Sequence, residues 1–150
     1  MRITVESIDQ RGERRLGCMQ LPSFPVQFSS ATFSGKARFV PAGSDWQRSI
    51  GQTFEVEINQ ENITNFEVLE ASVLQETSVT AQTQPGDFRV CGVVIAIVSI
   101  AEPDGEQIIT VKAGDALFNL TRTELRIAHL SEGSAVAFTV HDMSLWDEAI

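Results

Sequence analysis

With 150 residues, of which 43% are hydrophobic, the chain is long enough to bury the core of one domain without disulfide staples. Its net charge of −9 disfavours polyanionic ligands such as nucleic acids, and its two cysteines exclude a disulfide framework or a four-cysteine zinc site. The first residues lack the apolar core of a secretory signal, so we expect a cytoplasmic location. The charge is uneven, because residues 1–50 carry seven basic and four acidic side chains, whereas residues 51–150 carry four basic and 16 acidic ones.

Alternation of apolar and polar residues, which places every second side chain on a core face, predicts strands along most of the chain. Ile3 and Val5 begin the first strand, and the polar segment 9–15 is predicted to be the loop that follows it. Further strands are predicted at 16–21, 26–33, 36–40, 53–58, 66–74, 78–82, 106–112, 115–120 and 134–142.

The most apolar stretch lies between Arg89 and Glu102 and contains twelve residues, seven of them β-branched. As a helix it would reach only about 18 Å, whereas a membrane core is about 30 Å thick, so a membrane span is excluded. β-Branched side chains fit a pleated surface better than a helix. We therefore predict one long central strand over 88–101, with a bulge or bend at Gly92.

One helix is predicted near 122–131, because Thr121 and Glu124 have the spacing of a capping box. Residues 88–148 would then form a long strand, a hairpin, a further strand, a short helix and returning strands. This element order resembles that of small five-stranded barrels of the OB type, and the resemblance lies in the order of elements rather than in any residue motif. The predicted fold class is mainly β, with an antiparallel small barrel or barrels, OB-like order in the C-terminal section and one short helix.

We expect a single compact β domain over residues 1–150. Two segments that begin at Gly51 and Gly133 share a glycine, an alternating strand and an aromatic-containing end, which indicates a repeat. The alternative organisation is therefore two small barrels, 1–84 and 88–150, joined near 82–87. The ends of both segments also resemble the closing strands of small molybdate-binding barrels, which would imply a small anion as ligand.

No catalytic residues, metal ligands or cofactor are predicted, and we expect a protein that is not an enzyme. Motifs for zinc hydrolases, serine hydrolases and phosphate loops are absent from the sequence. The histidines are His129 and His141. His141 is followed by Asp142, but neighbouring strand residues point to opposite faces, so this pair is not expected to act together.

The candidate binding residues are six cations and one tryptophan within residues 1–50, which could bind phosphates and stacked bases or a protein partner. They are Arg11, Arg14, Arg15, Lys36, Arg38, Trp46 and Arg48. Phe33 and Phe39 are further candidate stacking faces, and Trp146, near the end of the chain, is a candidate interface residue.

These observations predict a non-enzymatic module that binds a protein partner or associates with itself as a homo-oligomer. The alternative is an OB-type protein that binds single-stranded nucleic acid through the basic N-terminal section, which the acidic total charge disfavours. An enzyme and a small-anion binder rank below these two, and no membrane partner is expected.

Overall fold

The computed structural model describes residues 1–9, 15–16, 22–42, 50–70, 76–100, 106–121 and 129–149. Within these residues the regular structure consists of strands, and no helix among them is long and apolar enough to cross a membrane. The strands are β1 (Arg2–Ile8), β2 (Arg15–Leu16), β3 (Pro22–Ser30), β4 (Ser34–Val40), β5 (Thr53–Asn59), β6 (Asn62–Leu69), β7 (Ser78–Ala81), β8 (Phe88–Ser99), β9 (Gln107–Ala113), β10 (Ala116–Thr121), β11 (Ala135–His141) and β12 (Ser144–Asp147).

Five strands close into a barrel in the order β1, β5, β12, β4, β3 and back to β1. β12 runs parallel to β4, and the other neighbours in the barrel are antiparallel. In chain order the five barrel strands are β1, β3, β4, β5 and β12. The last of them, β12, thus lies between the third, β4, and the fourth, β5, which is the Greek-key order of an OB-type barrel. The prediction of a mainly β chain with a small barrel is confirmed.

The barrel is built from other strands than the sequence predicted. Residues 88–148 do not form it, because β8 to β11 join β6 in a second sheet, ordered β10, β9, β8, β11, β6, with β7 also paired to β8. β12 belongs to the barrel instead. The chain leaves the second sheet at Asp142, whose φ is 48°, and the N–H of Arg38 then donates to the carbonyl of Met143.

Two other predictions are tested by the region around the long strand. β8 ends at Ser99, and its irregular pairing with β9 falls between Val94 and Ala96 rather than at Gly92. Gly92 instead allows a close approach, because a Cβ there would lie 2.6 Å from the carbonyl oxygen of Lys112. Of the predicted helix near 122–131, residues 122–128 lie outside the described residues, and 129–131 form no helix.

The barrel and the second sheet share one hydrophobic core. The inward residues of β3 and β4 alternate with outward ones, so that Phe28 and Phe39 are buried while Gln27 and Lys36 are not. Phe88, at the start of β8, packs against Phe28 with ring centroids 6.1 Å apart. Strands β6 to β11 are thus inserted between the fourth and fifth barrel strands and packed on the barrel. Whether the chain counts as one domain or two stays a prediction.

A polar cluster joins the barrel to the turn between β9 and β10. The carboxylate of Asp115 accepts hydrogen bonds from the hydroxyls of Ser30 and Thr32 and from the backbone N–H of Ala31. Gly114, with a φ of 60°, is required beside it, because a Cβ there would collide with the hydroxyl of Thr32. This cluster fixes the loop between β3 and β4 to the second sheet.

Candidate functional site

A cavity of about 470 Å³ opens on the outer face of β3 and β4. We refer to it as the β3–β4 groove. Its lining comes from the end of β1, from the two barrel strands, from the turn before β8 and from the turn after β11. The lining residues are 7–9, 25–27, 36–38, 85–86 and Asp142.

Strand register sets the floor of the groove. In the antiparallel pair of β3 and β4, Pro25 lies opposite Arg38 and Gln27 lies opposite Lys36. Lys36 is exposed, whereas Arg38 is half-buried and its Nη1 donates to the hydroxyl of Ser23 at 3.3 Å. The floor therefore carries two cations beside a proline and an amide, which gives it both charge and apolar area.

Backbone hydrogen bonds hold one wall of the groove against β4. The N–H of Gly86 donates to the carbonyl of Lys36 at 2.8 Å, and the N–H of Met143 donates to the carbonyl of Gly86 at 2.9 Å. Gly86 is buried with a φ of 89°, and a Cβ there would lie 3.3 Å from the Cα of Asp142. These contacts fix the turn in place, so the groove is formed before any ligand arrives.

The charge around the groove has both signs. Lys36 and Arg38 supply the positive charge, and Asp9 and Asp142 supply carboxylates on the lining. Apolar area comes from side chains such as Pro25 and Pro85. An apolar surface with a few convergent polar groups is the usual composition of a ligand site.

The structure places the predicted binding residues unevenly. Lys36 and Arg38 meet in the groove, and Arg15 lies in β2 with its side chain outside the described part of the chain. Arg11, Arg14, Trp46 and Arg48 fall in segments outside the described residues. Phe33 and Phe39 are buried in the core, so neither ring is available for stacking on a base.

Trp146 lies half-buried in β12, between Val40 of β4 and Glu57 of β5. Its indole N–H donates to the hydroxyl of Ser144 at 3.0 Å. Its proposed role at an interface stays a prediction.

Sequence reasoning missed a second constellation, formed by Thr64, His141 and Asp87, which we refer to as the triad. His141 Nδ1 lies 2.8 Å from Asp87 Oδ2, and His141 Nε2 lies 2.7 Å from Thr64 Oγ1. The three residues come from β6, from β11 and from the turn before β8. Asp87 and Thr64 lie 54 and 77 residues before His141 in the chain. The three residues meet only because β11 pairs with both β8 and β6, so the sequence alone does not reveal the triad.

In the parts of the chain that the structure describes, no group of three or more His, Cys, Asp or Glu side chains is arranged to hold a metal ion. Cys91, in β8, is a half-buried free thiol.

Comparison of the chain with protein-family models, with curated proteins and with solved structures gives no match.

Proposed function

We propose that this chain is a binding module that takes up a segment of a protein partner, or of a second copy of itself, in the β3–β4 groove, and that the groove itself catalyses no reaction. The observation that carries the proposal is the groove itself, a preformed cavity of about 470 Å³ whose wall is fixed by backbone hydrogen bonds. A preformed site lowers the ordering cost of binding, because the protein does not have to rearrange.

A peptide matches the groove better than a nucleic acid does. A peptide segment can offer carboxylates to Lys36 and Arg38, amines to Asp9 and Asp142, and apolar side chains to the proline-lined area. A phosphate backbone would be attracted by the two cations but repelled by the two carboxylates and by the net charge of −9. Among the lining residues that the structure describes none is aromatic, so this part of the groove offers no stacking surface.

A retention experiment with a charge-reversed groove tests this function. Immobilised protein is exposed to a soluble proteome, and Lys36→Glu is compared with the wild type for the proteins retained. Lys36 is exposed, so the substitution leaves the fold intact. The control variant is Lys112→Glu, which reverses the charge of another exposed lysine, on β9 and outside the lining of the groove.

We expect specific partners to bind Lys36→Glu at least about tenfold more weakly, a loss of about 1.4 kcal/mol, and to bind Lys112→Glu as they bind the wild type. Light scattering over a range of concentrations measures self-association of the same proteins. Equal retention by both variants, or a monomer that retains nothing, would contradict the proposal.

Binding of single-stranded nucleic acid is a second candidate function, favoured by the OB-type closure of the barrel and by the two cations on its β3–β4 face. Fluorescence anisotropy of labelled single-stranded DNA and RNA at low and physiological salt tests it. Micromolar binding that weakens steeply with salt and is lost in Lys36→Glu would support it. Unchanged anisotropy at both salt concentrations would exclude it.

A further inference from the structure

The triad lies on the outer face of the second sheet. Thr139 of β11 pairs with Thr64 of β6 on one side and with Arg89 of β8 on the other, so these three side chains form a row across the sheet. His141 lies two residues beyond Thr139 on the same face, and Asp87 lies two residues before Arg89. Antiparallel pairing therefore brings an imidazole between a carboxylate and a hydroxyl.

Hydrogen bonding assigns the role of each group. A neutral imidazole donates from one nitrogen and accepts at the other, and an ionised carboxylate can only accept. When the imidazole of His141 is neutral, Nδ1 therefore donates to Asp87, and this tautomer leaves the lone pair of Nε2 to accept the hydroxyl proton of Thr64. A nucleophile bonded to a base, with the base oriented by a carboxylate, is the arrangement that activates a hydroxyl for attack.

The triad is open to solvent at Thr64, and Arg89 of the same row is engaged in an ion pair. Thr64 is exposed, whereas the side chains of His141 and Asp87 are 32% and 20% exposed. The guanidinium of Arg89 donates to the carbonyl of Asn65, the residue after Thr64, at 3.0 Å and pairs with Glu67 through Nη2. These contacts hold Arg89 in an ion pair and link it to the backbone of the residue that follows Thr64.

The backbone beside each member of the triad is in the left-handed region. Asn65 follows Thr64 with a φ of 53°, Asp142 follows His141 with a φ of 48°, and Gly86 precedes Asp87 with a φ of 89°. Asn65 and Asp142 are the residues other than glycine with positive φ in the described part of the chain. Sparsely populated backbone conformations persist where the surrounding structure holds them, and they concentrate at sites of chemistry.

We propose that Thr64 is an activated nucleophile that accepts acyl groups from small activated esters. Thr64 Oγ1 attacks the carbonyl carbon, its proton moves to Nε2 of His141, and Asp87 stabilises the imidazolium that forms. The tetrahedral oxyanion then collapses, the bond to the leaving alcohol breaks, and the alcohol takes the proton from His141. Water releases the acyl group by the same steps. This activity goes beyond the binding function of the groove and does not depend on it.

Labelling of the full chain with a fluorophosphonate probe, followed by peptide mass mapping, tests the proposal. Thr64 Oγ1 forms a bond to phosphorus as fluoride leaves, so the adduct marks the nucleophile. We expect the label on Thr64 of the wild-type protein. In Thr64→Val the label is lost, and in His141→Gln the labelling rate falls by about 100-fold or more, since a positioned general base contributes about that factor.

Matched variants separate chemistry from folding. Thr139→Val removes the neighbouring hydroxyl on the same face and should label at the wild-type rate, as should Lys112→Glu on β9. Thr64→Ser keeps the hydroxyl and should still be labelled. Mapping of the wild-type protein decides the question even if a variant fails to fold. An unlabelled chain, a label on another residue, or equal labelling of Thr64→Val would overturn the proposal.

Discussion

The contact between Gly35 and Phe88 predicts a large effect from a single added methyl group. In Gly35→Ala the new Cβ would lie 2.6 Å from Cε1 and 2.7 Å from Cζ of Phe88, whereas carbon atoms pack at about 3.5–4.0 Å. The ring would have to retreat by roughly 1 Å. It is fully buried, with Phe28 and Phe33 at centroid distances of 6.1 and 5.8 Å, so little room is available. We expect a loss of about 1–3 kcal/mol in the free energy of unfolding.

A double-mutant cycle isolates this contact. Phe88→Ala alone should cost about 3–5 kcal/mol, because it leaves a cavity between the barrel and the second sheet. In that background the methyl group of Gly35→Ala points into the vacated space, so its cost should vanish. The coupling energy between the two positions should therefore be about 1–3 kcal/mol.

Urea denaturation and thermal unfolding of the four proteins in this cycle provide the measurement. For a chain of this size about 1 kcal/mol corresponds to roughly 2–4 °C in Tm. The control is Ser34→Ala, an exposed neighbour on β4 that should change stability by less than about 0.5 kcal/mol. If the costs of Gly35→Ala and Phe88→Ala add to within about 0.5 kcal/mol, the steric explanation is refuted.

Two further substitutions test the polar contacts. Asp115→Ala should lower the free energy of unfolding, measured by urea denaturation, by about 1–3 kcal/mol, because the hydroxyls of Ser30 and Thr32 lose a charged acceptor. An unchanged urea midpoint would show that water fully replaces the carboxylate. Arg2→Ala should cost less than about 1 kcal/mol, since Arg2 and Glu55 are 2.7 Å apart but have side chains 73% and 50% exposed. A larger loss for Arg2→Ala at physiological salt would contradict the assignment of this pair as a solvent-screened one.

The alternation of the sequence was sufficient to predict individual strands where one face is buried. β5 and β11 coincide with predicted strands to within one residue at each end, because burial of every second side chain leaves a local signature. β6 spans Asn62–Leu69, whereas the sequence predicted 66–74. The first half of β6 is polar and carries the irregular pairing around Asn65, so it has no such signature.

Strand partners could not be predicted, because pairing depends on residues that are distant in the chain. The barrel was assigned to the C-terminal section since its elements are consecutive, yet β12 pairs with β4 and β5. The same limitation applies to the sites. Lys36 and Arg38 alternate with buried Ala37, so their shared outward face was predictable. Pro85, Gly86 and Asp87 predict a turn, but the contact of this turn with β4, which makes it a wall of the groove, was not predictable.

The triad shows the limitation most clearly. The sequence draws attention to His141 and Asp142 because they are adjacent, but β11 ends at His141, and Asp142 lies beyond it with a φ of 48°. The carboxylate that meets the imidazole is Asp87, which is placed by the register of β8 against β11. A residue pair that depends on register has no signature in the local sequence.

The position of β12 in the barrel affects when the chain can fold during synthesis. Four barrel strands have been made once Asn59 has left the ribosome, but the gap between β4 and β5 stays open until Ser144–Asp147 follow. Closure over so long an insertion is entropically costly and therefore slow. A nascent chain exposes the unpaired edges of β4 and β5 throughout this interval, and such edges favour aggregation. Rapid translation between Asn59 and Ser144 would shorten the period in which the unfinished barrel is vulnerable.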